Sequence, residues 1–319
     1  MLKKMRKRLY FLLCCLSLYV PFAHADVLPL STALQNTYRA CVDIDEILHD
    51  LKVLAGVNTA VTAVGTASGI GASATGFVKA SKDADIERLE RLIKEIEEIQ
   101  SKDTDKDTFD KQKFLKEFDV SWESAVKDID KYKEEIEKLT EQSKKLGNWR
   151  TGLLAGNTAT NIAGAIIASR TIINKDDIQG QIDACILANK ELNNAITAAK
   201  LNGEDVAEAK QIYDICREYE FVDISPITKR GKGAMVASTT GAVVGGVGTI
   251  TSAVANSDKI RDDNSEAGKK KEKDLNTASN VLSVGATAAS ATATVFNALQ
   301  INAIKKVATV ASECTGVLK

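Results

Sequence analysis

Four long stretches of this chain are rich in Gly, Ala, Thr and Val, poor in charge, and carry a small residue at nearly every fourth position. Residues four apart share one face of an α-helix, so each stretch predicts a helix with a face of small side chains. An interior glycine costs a helix about 1 kcal/mol relative to alanine, and such helices therefore need close contact with a neighbouring backbone. The glycines that we expect at these contacts are Gly65, Gly69, Gly152, Gly156, Gly164, Gly241, Gly245 and Gly285.

The order of segments occurs twice, which indicates a tandem duplication. Tyr38-x-x-Cys41 precedes the first stretch and Tyr213-x-x-Cys216 precedes the third, and the sequence from Asn157 is similar to the sequence from Asn276. The predicted fold is therefore all-α, with two long antiparallel helical hairpins packed as an elongated bundle. Chance similarity of low-complexity sequence is the alternative to duplication, and strands over residues 57–76, rich in Val and Thr, are the alternative to helices there.

A charged insertion distinguishes the first copy from the second. Two amphipathic stripes separated by a polar turn at 101–108 predict a coiled-coil-like helical hairpin at the tip of the first long hairpin. Its apolar residues Leu115, Phe118 and Trp122 are candidate contacts for a protein partner. The predicted segments are a signal peptide (1–25), the first hairpin repeat (26–185) with its insertion (81–147), a connecting helical segment (186–212) and the second hairpin repeat (213–319).

Four cysteines lie outside the signal peptide, at Cys41, Cys185, Cys216 and Cys314. An even number in an exported chain predicts two disulfides. Because the two arms of each hairpin have nearly equal lengths, the preferred pairs are Cys41 with Cys185 and Cys216 with Cys314. The alternatives are Cys185 with Cys216 and Cys41 with Cys314, which also gathers the four cysteines at one end, or four free buried thiols.

The N-terminus has the order of a secretory signal. A basic start is followed by an apolar run from Leu9 to Phe22 and by Ala23-His24-Ala25. The run is shorter than the roughly 20 apolar residues of a membrane anchor, so we expect cleavage after Ala25 and export. The periplasm, the extracellular medium and association with the envelope are all open destinations.

The chemistry expected of an enzyme is missing from the pattern. Export removes five basic residues from a chain of net charge −1, and an acidic chain is a poor partner for nucleic acid. His49 is the only histidine outside the signal peptide, and no motif places a nucleophile, paired carboxylates or a metal-ligand set. We therefore expect a protein that is not an enzyme and has no cofactor or metal.

Two functions fit these features. The preferred one is a non-catalytic exported scaffold that binds an unknown protein through its coiled extension, as a monomer or a homo-oligomer. The alternative is a membrane-active protein that inserts its Gly/Ala-rich hairpins, and the general plan of the chain resembles that of helical pore-forming toxins. The Ser, Thr and Asn content of the uncharged stretches, above all Asn157 and Asn161, favours a water-soluble bundle over insertion.

Overall fold

A computed structural model describes residues 27–101, 107–261, 263 and 265–318, without the side chains of 107–111 and 173–176. The predicted signal peptide and most of the predicted turn at 101–108 lie outside the described residues. Within the described part the chain is helical and has no strand. The prediction of an all-α fold with long packed helices is confirmed, and the strand alternative for residues 57–76 is wrong because they lie inside one long helix.

The helices differ greatly in length, and three of them exceed 50 residues. In chain order they are α1 (Leu30–Cys41), α2 (Ile44–Ser101), α3 (Asp107–Phe118), α4 (Trp122–Lys127), α5 (Ile129–Leu201), α6 (Ala207–Cys216), a 3₁₀ helix (Arg217–Phe221), α7 (Ser225–Ala255), α8 (Asp258–Arg261) and α9 (Glu266–Leu318).

Local sequence explains where some of these helices begin and end. Ser121 caps α4, since its hydroxyl accepts a hydrogen bond from the Ser124 backbone N–H at 3.4 Å. Pro226 stands in the first turn of α7, where a missing N–H costs nothing. Beyond the end of α5, Gly203 adopts a φ of +79°, which glycine tolerates best, and the chain turns there.

The chain divides into two compact units. Unit 1 comprises the residues up to His49, Asp176–Asp223 and the residues from Lys306 onward, and unit 2 comprises Asp50–Lys175 and Ile224–Lys305.

Both disulfides lie in unit 1. Cys41 is bonded to Cys185 and Cys216 to Cys314, and all four residues are buried. These are the pairs that the equal arm lengths favour.

Apart from the disulfides, the core of unit 1 contains buried apolar and aromatic side chains. Leu48, Ile182 and Leu192 are buried apolar residues of this unit. Tyr219 is fully buried as well. Burial, with the charge of Asp45 as the lesser cause, raises the pKa of the Tyr219 phenol far above its usual range.

Unit 2 contains four long helical segments, which belong to α2, α5, α7 and α9. Hydrogen bonds from Asn58 to Asn297 (2.9 Å) and between Ser73 and Ser283 (2.9 Å) place α2 antiparallel to α9. Thr151 with Ser252 (2.8 Å) and Thr158 with Thr249 (3.4 Å) place α5 antiparallel to α7. Contacts of Asn161 with Ser290 and of Thr171 with Gln300 show that α5 and α9 run in the same direction.

Buried positions on these four segments alternate in steps of three and four residues, which is the heptad spacing of coiled coils. Along α5 they are Arg150, Leu154, Asn157, Asn161, Gly164, Ala168 and Thr171, and along α9 they are Asn276, Ser279, Ser283, Ala286, Ser290, Ala293, Asn297 and Gln300. The four helices therefore pack like a coiled coil, but most residues at the contacts are small or polar where Leu and Ile are usual, and Leu154 is an exception.

The charged helices of unit 2 have a separate, conventional core. It contains Leu92, Ile96, Ile99, Phe114, Phe118 and Ala125, with Trp122 packed against it. The ring centroid of Phe114 lies 4.9 Å from that of Phe118 and 5.6 Å from that of Trp122.

Candidate membrane-facing surface

The outer surface of the four long segments of unit 2 is apolar. We call residues 53–78, 151–169, 233–255 and 275–300 the belt, and the structure describes all of them. Every exposed residue of the belt is Gly, Ala, Val, Ile, Leu, Phe or Thr, and in the first two ranges not even Thr is exposed. The large apolar residues that are more than 40% exposed are Val53, Val57, Val64, Ile70, Phe77, Val78, Ile162, Ile166, Val236, Val243, Val247, Ile250, Val254, Val281, Val284, Val295 and Leu299.

The hydroxyl groups of the exposed threonines of the belt donate hydrogen bonds to backbone carbonyls of their own helix. Thr239, Thr240, Thr277 and Thr292 each donate a hydrogen bond to the backbone carbonyl four residues earlier, at 2.8 to 2.9 Å. This internal bond removes the need for water at the hydroxyl proton, and it is how threonine is accommodated on helices in lipid. The outer surface of the belt therefore presents methyl and methylene groups with its hydroxyl donors already bonded.

All asparagines of the belt are buried or half-buried. The Asn161 amide donates to Ser290 Oγ at 2.7 Å, and Ser290 Oγ lies 2.9 Å from Asn157 Oδ1. Asn157 and Asn161, which favoured a water-soluble bundle in the sequence, are both fully buried. We call the buried polar residues of the belt the polar seam: Asn58, Thr62, Asn157, Asn161, Ser238, Ser252, Asn276, Ser279, Ser283, Ser290, Asn297 and Gln300.

Several of the glycines expected at helix contacts meet another helix closely. A Cβ at Gly65 would lie 2.5 Å from Thr160 Oγ1, and one at Gly241 would lie 2.6 Å from Asn161 Oδ1. A Cβ at Gly69, Gly164 or Gly245 would likewise lie less than 3.0 Å from a side chain of a neighbouring helix. In contrast, a Cβ at Gly152 would meet nothing within 4 Å, and Cβ atoms at Gly156 and Gly285 would make only ordinary contacts.

Other close glycines do not follow the four-residue spacing. Gly76 faces Asn280, Gly147 faces Asn256, and Gly248 faces Leu282. Gly76 lies seven residues after Gly69, which is two helical turns and hence the same face. A search for small residues seven positions apart therefore finds Gly76 as a helix-contact residue, whereas a search at four positions does not.

Substituting alanine for a glycine in close contact with another helix should have the opposite effect on stability from the same substitution at a glycine that faces open space. Gly241→Ala is expected to destabilise the bundle by about 1 to 3 kcal/mol, because its Cβ would collide with the buried Asn161 amide. Gly152→Ala is expected to stabilise it by about 0.5 to 1 kcal/mol, because the site is open and alanine favours helix. Thermal unfolding followed by circular dichroism measures both. Equal effects of the two substitutions would contradict the packing described here.

The belt has the height of a bilayer core. Thr171 and Gln300 mark one level of the bundle, together with Gly231, whose Cβ would lie 2.8 Å from the Gln300 amide nitrogen. Ser252 with Thr151 marks the other level. The 21 helical steps from Gly231, two residues before the belt on α7, to Ser252 span about 32 Å. A bilayer hydrocarbon core is about 30 Å thick.

Three helical stretches of the described chain are long and apolar enough to cross a membrane. They are Leu30–Ser101, Ser225–Ala255 and Glu266–Leu318, and only 28%, 33% and 28% of their most apolar windows are buried. Most residues of these windows are therefore exposed or half-buried.

Two exposed aromatic residues lie near the end of the belt that contains Ser252. Trp149 is 69% exposed and Phe77 is 59% exposed. Trp149 lines a shallow groove together with Val78, Lys82 and Lys145. Trp and Lys at one level of a helical bundle are typical of residues at the boundary between hydrocarbon and headgroups.

The remaining predicted site residues lie elsewhere. Phe118 is buried and Trp122 packs against the core of the charged helices, while Leu115 is 47% exposed. Among the described residues, one group has the spacing of metal ligands, the sulfurs of Cys41, Cys185 and Cys314 within 4.8 Å of one another. These sulfurs belong to disulfides, so they are not available as thiolate ligands.

No family model, no curated protein and no solved structure matches this chain.

Proposed function

We propose that this chain is an exported, non-enzymatic protein that inserts the belt of unit 2 into a lipid bilayer. One observation carries the proposal: the exposed belt residues are apolar or self-bonded threonines, while the polar seam is buried. A helical bundle built for water has the opposite distribution, with apolar residues inside and charged or polar residues outside. Close helix contacts through small residues, with polar groups bonded between helices, are typical of bundles in lipid.

The expected gain is large. A half-exposed Val contributes about 1 kcal/mol when it moves from water into an apolar environment. The belt has 17 large apolar residues that are more than 40% exposed, so insertion gains on the order of 15 kcal/mol from them. No backbone group needs to give up a bond, because helices satisfy their own backbone in lipid.

The proposal includes two helical hairpins related by duplication. The first consists of α2 and α5 with the Cys41–Cys185 disulfide, and the second consists of α7 and α9 with the Cys216–Cys314 disulfide. The contacts of α2 with α5 and of α7 with α9 at the belt glycines support it. The disulfides also fit export, since they form in oxidising compartments. On this proposal the charged, coiled-coil-like hairpin is the part that stays in water.

A water-soluble scaffold is the second candidate, and the exposed Leu115 of α3 favours it as a contact for a protein partner. Phe118 and Trp122 already have partners within the same chain, which leaves that surface small. A scaffold of this kind is expected to be monodisperse in water without detergent and to ignore vesicles.

Flotation with vesicles distinguishes the two candidates. The purified chain, in its oxidised form and without its signal peptide, is mixed with phospholipid vesicles and centrifuged through a density gradient. Insertion predicts that the chain floats with the vesicles and stays with them in high salt and in carbonate at high pH. Recovery of all the protein at the bottom of the gradient, as a folded helical species, would reject insertion and favour the scaffold.

A further inference from the structure

Basic side chains surround the unit 2 bundle at one end of the belt. All four helices contribute, and we call these residues the collar: Lys52, Arg170, Lys229, Arg230, Lys232 and Lys305. In the same turns of unit 2, residues 50–52, 170–172, 224–232 and 301–305, Asp50 is the single acidic residue. The collar therefore carries a strong positive charge.

The helix contacts place the collar residues near one level. Thr171, next to Arg170, is hydrogen-bonded to Gln300 at 3.3 Å. Arg230 Nη1 donates to the Leu299 carbonyl at 2.6 Å. Lys305 follows Gln300 by five residues, and five residues of helix rise about 8 Å.

Lys52 completes the collar on α2. It precedes Asn58 by six residues, and Asn58 is hydrogen-bonded to Asn297. Six residues of helix rise about 9 Å. Because α2 and α9 are antiparallel, Lys52 lies beyond Asn297 in the same direction as Lys305. Both side chains are exposed, as are those of Arg170, Lys229 and Lys232.

The opposite end of the belt has a different charge arrangement. There the buried Lys79 lies 2.7 Å from an oxygen of Asp83 and 3.3 Å from one of Glu272. Further along, Lys269 pairs with Glu90 at 2.6 Å and Lys273 with Glu87 at 3.0 Å. Positive and negative groups neutralise one another at that end. The collar end instead has six basic residues and one acidic residue, Asp50, in the same turns of unit 2.

We propose that the collar binds the phosphate groups of anionic phospholipids at one surface of the bilayer. This inference rests on the proposed insertion, because a belt that fills the hydrocarbon core puts the residues just beyond it among the headgroups. Lys and Arg at that depth extend their charged ends toward phosphate while their stems stay in the apolar region. Six basic residues on four helices therefore select an anionic leaflet and fix which end of the bundle meets it.

The test compares vesicles of phosphatidylcholine with vesicles that also contain phosphatidylglycerol. The variant Lys52→Gln/Lys229→Gln/Lys232→Gln removes three exposed collar charges. The matched control, Lys269→Gln/Lys270→Gln/Lys271→Gln, removes three exposed charges from the other end of the belt. Circular dichroism and thermal unfolding of each variant check that it folds like the parent chain.

The parent chain is expected to bind the anionic vesicles at least 10-fold more tightly at about 50 mM salt, with the preference reduced at about 500 mM. The collar variant is expected to lose most of that preference, because each removed charge lowers the affinity for anionic vesicles up to about fivefold. The control variant is expected to keep the preference. Inorganic phosphate at matched ionic strength should not compete more than chloride does, because the site is a ring of charges at a surface.

The outcomes separate this inference from the proposed function. Flotation with both kinds of vesicle but no preference for the anionic ones would overturn the collar proposal and leave insertion standing. If the collar variant and its control lost the preference for anionic vesicles equally, the collar proposal would also be overturned, since the total charge of the chain and not the position of the collar would then explain the preference. Flotation with neither vesicle would remove the proposed function itself.

Discussion

Replacing Val247 by aspartate is expected to lower the partition of the chain into vesicles more than 100-fold. Val247 lies on α7 inside the belt, five residues before Ser252, and its side chain is 50% exposed. A carboxylate at this depth of a membrane helix costs about 3 kcal/mol, which corresponds to more than two powers of ten. Flotation with vesicles measures the loss.

The same substitution has the opposite meaning for a water-soluble bundle. An exposed Val→Asp in water changes stability by about 0.5 kcal/mol or less, and it improves solubility. Leu115→Asp is the matched control, because Leu115 is 47% exposed but lies on α3, outside the belt. It should float like the parent chain. Val247→Asp that folds and floats as well as Leu115→Asp would show that lipid does not contact α7.

Loss of either disulfide is expected to cost unit 1 about 4 kcal/mol. The cysteines of the two bridges are 144 and 98 residues apart in sequence. Cross-links over such long loops restrict the unfolded chain strongly, so their removal stabilises the unfolded state. The variants Cys41→Ser/Cys185→Ser and Cys216→Ser/Cys314→Ser each remove one bridge without leaving a free thiol. Denaturant unfolding followed by circular dichroism measures the change.

Peptide mapping of the oxidised parent chain provides the control for connectivity. It should find Cys41 linked to Cys185 and Cys216 linked to Cys314. Linkage of Cys185 to Cys216 would contradict the pairing seen in the structure and the two-hairpin proposal that rests on it. Reduction of the parent chain should destabilise it more than either double variant does.

The helices could be predicted from the sequence, because the long stretches have few prolines, repeat small residues at helical spacing and lack the turn-bounded alternation of strands. The sequence could not predict whether the polar residues of these helices point into the bundle or toward its surroundings. Composition counts Asn157, Asn161 and Ser290 against a membrane wherever they lie, and the penalty falls once they are buried and bond one another inside a bundle. Asn157 Nδ2 and Asn161 Oδ1 keep part of that penalty, because neither atom has a hydrogen-bond partner. Only the packed structure decides between these two cases.

The four-residue spacing of small residues predicts only some of the helix contacts, and the reason is the geometry of the helix. Four residues turn a helix by about 400°, so positions at this spacing drift around the helix by about 40° each time. Alternating steps of three and four keep to one face, and these are the steps that the buried positions of α5 follow. Gly152 consequently faces open space although it continues the four-residue pattern, while Asn157 lies in the seam.

The depth of a single belt residue in the bilayer tests insertion most directly. A spin label attached at Val247→Cys, in the otherwise oxidised chain bound to vesicles, reports its relative exposure to oxygen, which dissolves in hydrocarbon, and to a polar nickel reagent, which does not. The belt predicts strong exposure to oxygen and protection from nickel at this position, and the reverse for a label at Leu115→Cys. A label at position 247 that is as open to nickel as the one at position 115 would contradict the insertion of the belt.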